Sequence, residues 1–312
     1  MSAKLVDVVR FDDPGCPWCY SAERVRIALE TRYGEQLRWR VVQVGLYESG
    51  DEMVAAGYTT AGLAESYRKL RDRYRMPFCT LERPRLIGTW MAARAVKAAE
   101  AQSAAAGAAL LRRLRLAWFV EVRLVDEPAE LVSLAVRIPD LDASRFEADL
   151  LGEASAGALA RDRTEAEMPD GVSRALGKVK TSDEGEARYT TPTYVFSTDG
   201  RSSSVPGFQP LEAYEVTLHN LAPWLERRPA PEAGEFLGAR PGEPFATVEI
   251  AAAIARSERT ASKQLESLAA AGEIVRTAAT DGELWSAGPP ALELECPGPP
   301  PLLPRLEREL TA

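Results

Sequence analysis

Cys16 and Cys19 bracket Pro17 and Trp18 in the stretch FDDPGCPWCYSAERV, residues 11–25. Two thiols at this spacing serve thiol–disulfide exchange, half of a zinc site, or neither, with the sulfurs packed as small hydrophobes. Exchange needs one thiol held as thiolate near neutral pH and a second close enough to resolve the mixed disulfide. A Cys-x-x-Cys pair at a helix start meets both needs. Unpaired N–H groups and the positive end of the helix dipole favour the anion on the first sulfur, and the i, i+3 spacing brings the second to the same side. Cys16 is then the nucleophile and Cys19 the resolving thiol. Pro17 and Trp18, between them, are candidate substrate-contacting residues, with Trp18 or Tyr20 lining a groove and the other packing inward. A structural zinc site wants four ligands, and the single histidine, His219, shows no ligand spacing with the lone Cys79 and Cys296, so no metal is expected. Asp12 and Asp13 either move the proton of the resolving thiol or are solvated acids of a turn. Cys79 reads as a third redox thiol or a small hydrophobe.

The pair must be held by a strand before it and a helix after it. LVDVVRF (5–11) predicts a buried strand, Asp12–Gly15 a turn, and the following helix takes Pro17 in its first turn and ends at Gly34. QLRWRVVQV (36–44) predicts a second strand. From 61 to 180 the texture is Ala, Leu, Arg and Glu, which predicts helices over 61–74, 84–102, 106–122, 128–136, 143–151 and 153–167. TYVFS (193–197) and 201–206 around Asp199-Gly200 predict a hairpin, followed by a helix from Pro210 to about Leu221. Crowded prolines and glycines predict a linker over 225–244. Residues 245–288 carry two helical stretches, 247–255 and 257–272, and a hairpin around Asp281-Gly282, an order that resembles a winged-helix domain; a Pro-rich tail fills 289–312. The division is therefore a first domain from 1–60 and 181–224, a helical insertion over 61–180, the linker, and the winged-helix-like unit.

Composition narrows the function classes. A chain of 312 residues, 46% hydrophobic, can bury a substantial core, and its net charge of −8 argues against strong binding to nucleic acid or an anionic membrane. The N-terminal apolar stretch is broken by Asp7 and Arg10 and lacks the pattern of a signal peptide, and no run reaches membrane-spanning length, so a cytoplasmic location is expected. Four unevenly spaced cysteines do not make a disulfide scaffold.

Cys16-Pro17-Trp18-Cys19-Tyr20, the later Thr191-Pro192 before a strand, and Val205-Pro206-Gly207-Phe208-Gln209-Pro210-Leu211 before the last helix together resemble the DsbA-like family of thioredoxin-fold oxidoreductases, including its FrnE-like members. The likeness covers about residues 4–222. It implies an α/β thioredoxin-like fold with a helical insertion, thiol–disulfide oxidoreductase activity, and Thr191 with a cis Pro192 facing the cysteines and holding a partner chain. It also implies protein or peptide thiols and disulfides as partners, and a thiol-based reductant or oxidant to reset the pair. No cofactor is expected beyond the redox-active disulfide itself, with a low-molecular-weight thiol as cosubstrate. Kappa-class glutathione transferases and 2-hydroxychromene-2-carboxylate isomerases share this inserted architecture but commonly carry serine at the first motif position. Cys16 thus favours dithiol exchange over a glutathione-type isomerase.

The C-terminal unit supplies a rival reading. Arg259, Thr260, Ser262, Lys263 and Gln264 start its second helix, where a helix-turn-helix regulator places its DNA contacts. Residues 232–288 carry nine acids to five bases, against the basic footprint that phosphate binding favours. A packing, substrate-covering or homodimerising module is the expectation.

Overall fold

The computed structural model describes residues 4–181, 186–279 and 281–290. Most of the Pro-rich tail, with Cys296, lies outside them. Val6 and Val8 alternate with half-buried neighbours in β1 (Val6–Asp12), which is followed by α1 (Pro17–Ser21) and α2 (Glu23–Tyr33) and returns as β2 (Leu37–Gln43). β2 runs parallel to β1, a geometry that needs the crossover α1 and α2 provide. Gly34 closes α2 at φ +54°, a conformation that favours glycine.

The insertion then runs α3 (Gly50–Ala55), α4 (Thr60–Tyr74), α5 (Trp90–Glu100), α6 (Ala104–Phe119), α7 (Pro128–Ala135), α8 (Ala143–Leu150), α9 (Glu153–Ala166) and α10 (Gly171–Ala175). Its starts are chemically marked: Thr59, Ser103, Asp142 and Asp170 each accept a backbone N–H from the first turn they precede, and Pro128 opens α7. Five of the six predicted helices fall within a few residues of these. The helix predicted from 84 begins only at Trp90, because 76–89 is an irregular segment whose Arg83 donates to the carbonyls of Cys79, Leu81 and Trp118.

The chain leaves the insertion through a short ribbon, β3 (Val179–Thr181) and β4 (Ala187–Tyr189), of which β3 begins within the 61–180 stretch expected to be helical; three residues are too few for a readable alternation. β5 (Thr193–Thr198) and β6 (Arg201–Pro206) form the predicted hairpin and complete a four-stranded sheet in the order β2-β1-β5-β6. β5 is antiparallel to β1 with Phe11 opposite Thr193. That register sets the turn after β1 beside Thr191-Pro192, just ahead of β5. α11 (Leu211–Leu221) packs on the sheet.

The predicted linker needs correction. It contains α12 (Ala233–Gly238), held by a capping box between Glu232 and Glu235. β7 (Phe245–Ala246), α13 (Thr247–Ala253), α14 (Glu258–Ala270), β8 (Val275–Ala279) and β9 (Gly282–Ser286) follow, with the three strands in the order β7-β9-β8. The two helices and the hairpin expected over 245–288 are thus present. Phe236 and Leu237 of α12 share its core with Ile250, Leu265 and Trp285, and the same core takes in Ile27 of α2. Prolines and glycines here shape a packed segment, and the C-terminal unit is seated on the thioredoxin-like part.

Candidate active site

Cys16 is the N-cap residue of α1, with extended backbone, and Pro17 occupies the first helical turn, where its missing N–H costs nothing. The thiol is almost covered, at 3% exposure. Thr191 Oγ1 donates to Cys16 Sγ at 3.2 Å, and the Cys16 thiol reaches the Thr191 carbonyl at 3.7 Å. The Thr191–Pro192 peptide bond is cis. Burial by itself pushes the Cys16 thiol up, but hydrogen bonds from the Cys19 thiol, the Thr191 hydroxyl and the Cys19 backbone N–H outweigh it and hold Cys16 below the ordinary thiol range. Cys19 goes the other way: burial, its hydrogen bond to Cys16 and the negative charge of Asp12 push it well above that range. The two sulfurs are thus separated by their surroundings. Both cysteines, and Cys79, are free thiols.

Thr191 makes a checkable contribution. In Thr191→Val the hydroxyl donor is lost at nearly constant shape. The alkylation rate of Cys16 at neutral pH is expected to fall roughly tenfold, the effect of one hydrogen bond to a charged group worth about 1.5 kcal/mol. Its pH midpoint is expected to rise. An unchanged midpoint in the rate–pH profile would remove Thr191 from the stabilisation of the thiolate.

Asp12 and Asp13 are not solvated turn acids; both are buried, because the turn is roofed by other segments. Asp13 accepts from the N–H groups of Gly15 and Leu46 and from the Thr89 hydroxyl, so it pins the turn; burial nonetheless pushes its carboxyl up to about 6. Asp12 lies 2.6 Å from Arg10 and pairs with Arg115 of α6. Burial would raise the Asp12 carboxyl, but those two guanidinium groups and a hydrogen bond from Cys19 hold it below its ordinary value. Behind Asp12 sits Glu23, buried among Arg10, Arg26, Arg112 and Arg115. Arg112 continues the chain of charge to Glu249 of α13, at 2.9 Å. Sequence reasoning missed this cluster; its readable sign was three arginines, Arg112, Arg113 and Arg115, inside the apolar run LLRRLRLAWF.

A groove of about 620 Å³ opens over Cys16, lined by Pro17, Trp18, Met53, Tyr58, Leu70 and Thr191 among others. Trp18 is 43% exposed at its rim, touching Tyr74 edge-on, while Tyr20 packs inward against Phe78 and Phe119 and donates to the Pro77 carbonyl. Pro192 is buried behind Thr191. Cys79 is buried, its N–H bonded to the Phe119 carbonyl. His219 packs edge-on against Tyr33 at the far end of α11. The start of α14 is turned toward the insertion: Glu258 pairs with Arg75, and Arg259 and Ser262 line a cleft with Arg71 and Asp72. Among the described residues no cluster of three or more His, Cys, Asp or Glu side chains is placed to hold a metal, and no helix is long and apolar enough to cross a membrane.

Sheet order, inserted helices and a dithiol at a helix start facing an X-Pro turn define a thioredoxin-fold protein of the DsbA-like kind. The chain belongs to the thioredoxin family, whose model, described as Thioredoxin, matches residues 10–169. It is 28% identical over 294 residues to the ClpXP adapter protein SpxH of Halalkalibacterium halodurans, covering 90% of this chain and 89% of that one. To SpxH of Bacillus subtilis it is 27% identical over 297 residues, covering 91% and 90%. Among solved structures, a candidate protein disulfide isomerase from Nitrosomonas europaea superposes with a TM-score of 0.55 at 16% identity, over 70% of this chain and 97% of that one. A candidate DsbA oxidoreductase from Streptomyces coelicolor gives 0.51 at 21%, over 69% and 89%.

Proposed function

We propose that this protein exchanges thiols and disulfides with polypeptide partners through Cys16 and Cys19. The observation that carries the reading is the opposite tuning of the two sulfurs: Cys16 lowered toward the thiolate by its hydrogen bonds with Thr191 and Cys19 under an open groove, Cys19 raised by burial beside Asp12. The Cys16 thiolate attacks one sulfur of a partner disulfide, forming a mixed disulfide and releasing the other partner sulfur as a thiolate. Cys19 gives its proton to the released partner thiolate and attacks Cys16. The mixed bond breaks, the partner leaves with two electrons gained, and a Cys16–Cys19 disulfide remains for a thiol-based reductant to reset. Thr191, Pro17 and Trp18 flank the bound chain, and the cis Pro192 behind Thr191 shapes the turn that presents it. The setting that suits this chemistry is the cytoplasm, whose thiol pools would return the pair to its reduced form.

A second reading has its own support. The SpxH adapters match nine-tenths of this chain, a span too long to leave out the C-terminal unit, whereas the oxidoreductase-like structures match about seven-tenths. On this reading the chain presents a bound polypeptide to a ClpXP protease. Reduced protein mixed with insulin separates the two. Stoichiometric appearance of the Cys16–Cys19 disulfide by mass spectrometry is the expected result. Thiols that stay reduced over hours would leave the adapter reading, to be checked by whether the chain accelerates ClpXP degradation of a bound polypeptide.

A further inference from the structure

The groove over Cys16 carries a charge opposite to that of the chain. Lys69, Arg73, Lys180 and Arg188 line it, and no carboxylate does among its described residues, in a protein with 46 acids to 38 bases. These cations come from two sides. Lys69 and Arg73 lie one turn apart on the same face of α4, and Lys180 and Arg188 belong to β3 and β4. Arg73, Lys180 and Arg188 have no ion-pair partner among the described residues, and Lys69 has only the exposed Glu65 at 3.5 Å.

The ribbon is the telling feature. Lys180 stands directly opposite Arg188 in the β3–β4 register. Like charges facing each other across two strands destabilise the pairing, and a two-stranded ribbon has little stability to spare. The arrangement costs the free protein and is relieved by an anion placed between the two sides. Between the cations the groove is apolar, with Met53, Leu63, Leu70 and Trp118. One helical turn separates Lys69 from Arg73 by about 6 Å, close to the ~6.6 Å between alternate side chains of an extended chain.

We propose that the groove selects an extended polypeptide segment whose reacting cysteine is flanked by Asp or Glu at alternate positions. This rests on Cys16 as the attacking thiol and names the partner it meets. The test separates the two ideas. A fluorescent peptide with serine in place of cysteine and two aspartates on either side is titrated with the full-length protein, beside its all-asparagine counterpart, at about 20 and about 300 mM salt. The acidic peptide is expected to bind at least about tenfold more tightly at low salt, with the difference collapsing at high salt. It is expected to collapse also in Lys69→Gln with Arg73→Gln and, separately, in Lys180→Gln with Arg188→Gln. The second pair removes a repulsion, so its melting temperature is expected to be unchanged or raised and lost binding is not lost folding. Equal affinities for the two peptides would overturn the proposal while leaving exchange at Cys16 intact, since no sulfur chemistry is involved. In a second arm, reduced protein is mixed with the disulfide-linked acidic peptide and with glutathione disulfide. Faster reaction with the peptide supports the proposal. An equal or faster reaction with glutathione disulfide would overturn it in favour of a small anionic thiol.

Discussion

Cys16→Ser is expected to slow single-turnover reduction of a polypeptide disulfide by roughly a thousandfold or more, because the hydroxyl that replaces the thiolate is not ionised near neutral pH and is not the attacking species. Cys19→Ser has a different signature. Attack by Cys16 survives, but the mixed disulfide is no longer resolved from within, so a covalent adduct at Cys16 accumulates and is seen by mass spectrometry. Cys79→Ser is expected to react at the wild-type rate, since Cys79 is buried, with its N–H bonded to the Phe119 carbonyl, and does not line the groove. Wild-type rates in Cys16→Ser would end the exchange reading; a slow Cys79→Ser would bring that thiol into the pathway.

Glu23→Ala is expected to cost about 3–5 kcal/mol of folding stability, the range found when one partner of a buried pair is removed, because it leaves Arg10, Arg112 and Arg115 short of charge in the interior. Urea titrations of the variant and wild type at neutral pH measure it; a loss below about 1 kcal/mol would show that the remaining carboxylates suffice. The pH dependence follows from sign. Burial opposes ionisation of Glu23, but the surrounding guanidinium groups win and hold its carboxyl far below the ordinary 4.5. Its contribution is therefore fully present above that value and is lost as pH falls through the lowered one. Wild type is expected to lose stability below about pH 4.5 more steeply than Glu23→Ala. Asp13 works the other way: with its carboxyl raised from 3.8 to about 6, its contribution is present below 3.8 and lost as pH rises through 6.

The dithiol was legible because it is local: four residues carry it, between a strand and a helix. Thr191-Pro192, 175 residues from Cys16, entered only through the likeness to the DsbA-like family, since the β1–β5 pairing that brings it there spans most of the chain. The ion cluster was hidden by the rule that made α6 readable. Its leucines, Trp118 and Phe119 mark a core face, and the eye assigns the intervening arginines to solvent. α6 is buried on nearly every side, so Arg112, Arg113 and Arg115 lie inside; Arg113 pairs with Glu121 close by, but the partners of the other two sit far off in the chain, Glu249 137 residues from Arg112 and Glu23 92 residues from Arg115. The cationic groove was hidden for a related reason: its four charges come from α4, β3 and β4, which no window spans. In the supposed linker the prolines outvoted a better sign, the Glu232 and Glu235 pair ahead of Phe236 and Leu237.

Arg112 joins residues that leave the ribosome at very different times. Glu23 emerges early and Glu249 late, and Arg112 has both of these buried carboxylates only once the chain has reached residue 249. A message cut ahead of codon 249 is therefore expected to encode a chain with an under-neutralised guanidinium in its interior and Ile27 laid bare, not a smaller stable protein. Limited proteolysis of the product ending at residue 244 checks this, with rapid cleavage within the first 225 residues as the expected result. The tail end of the gene, on this view, is under the same quality control as its first cysteine.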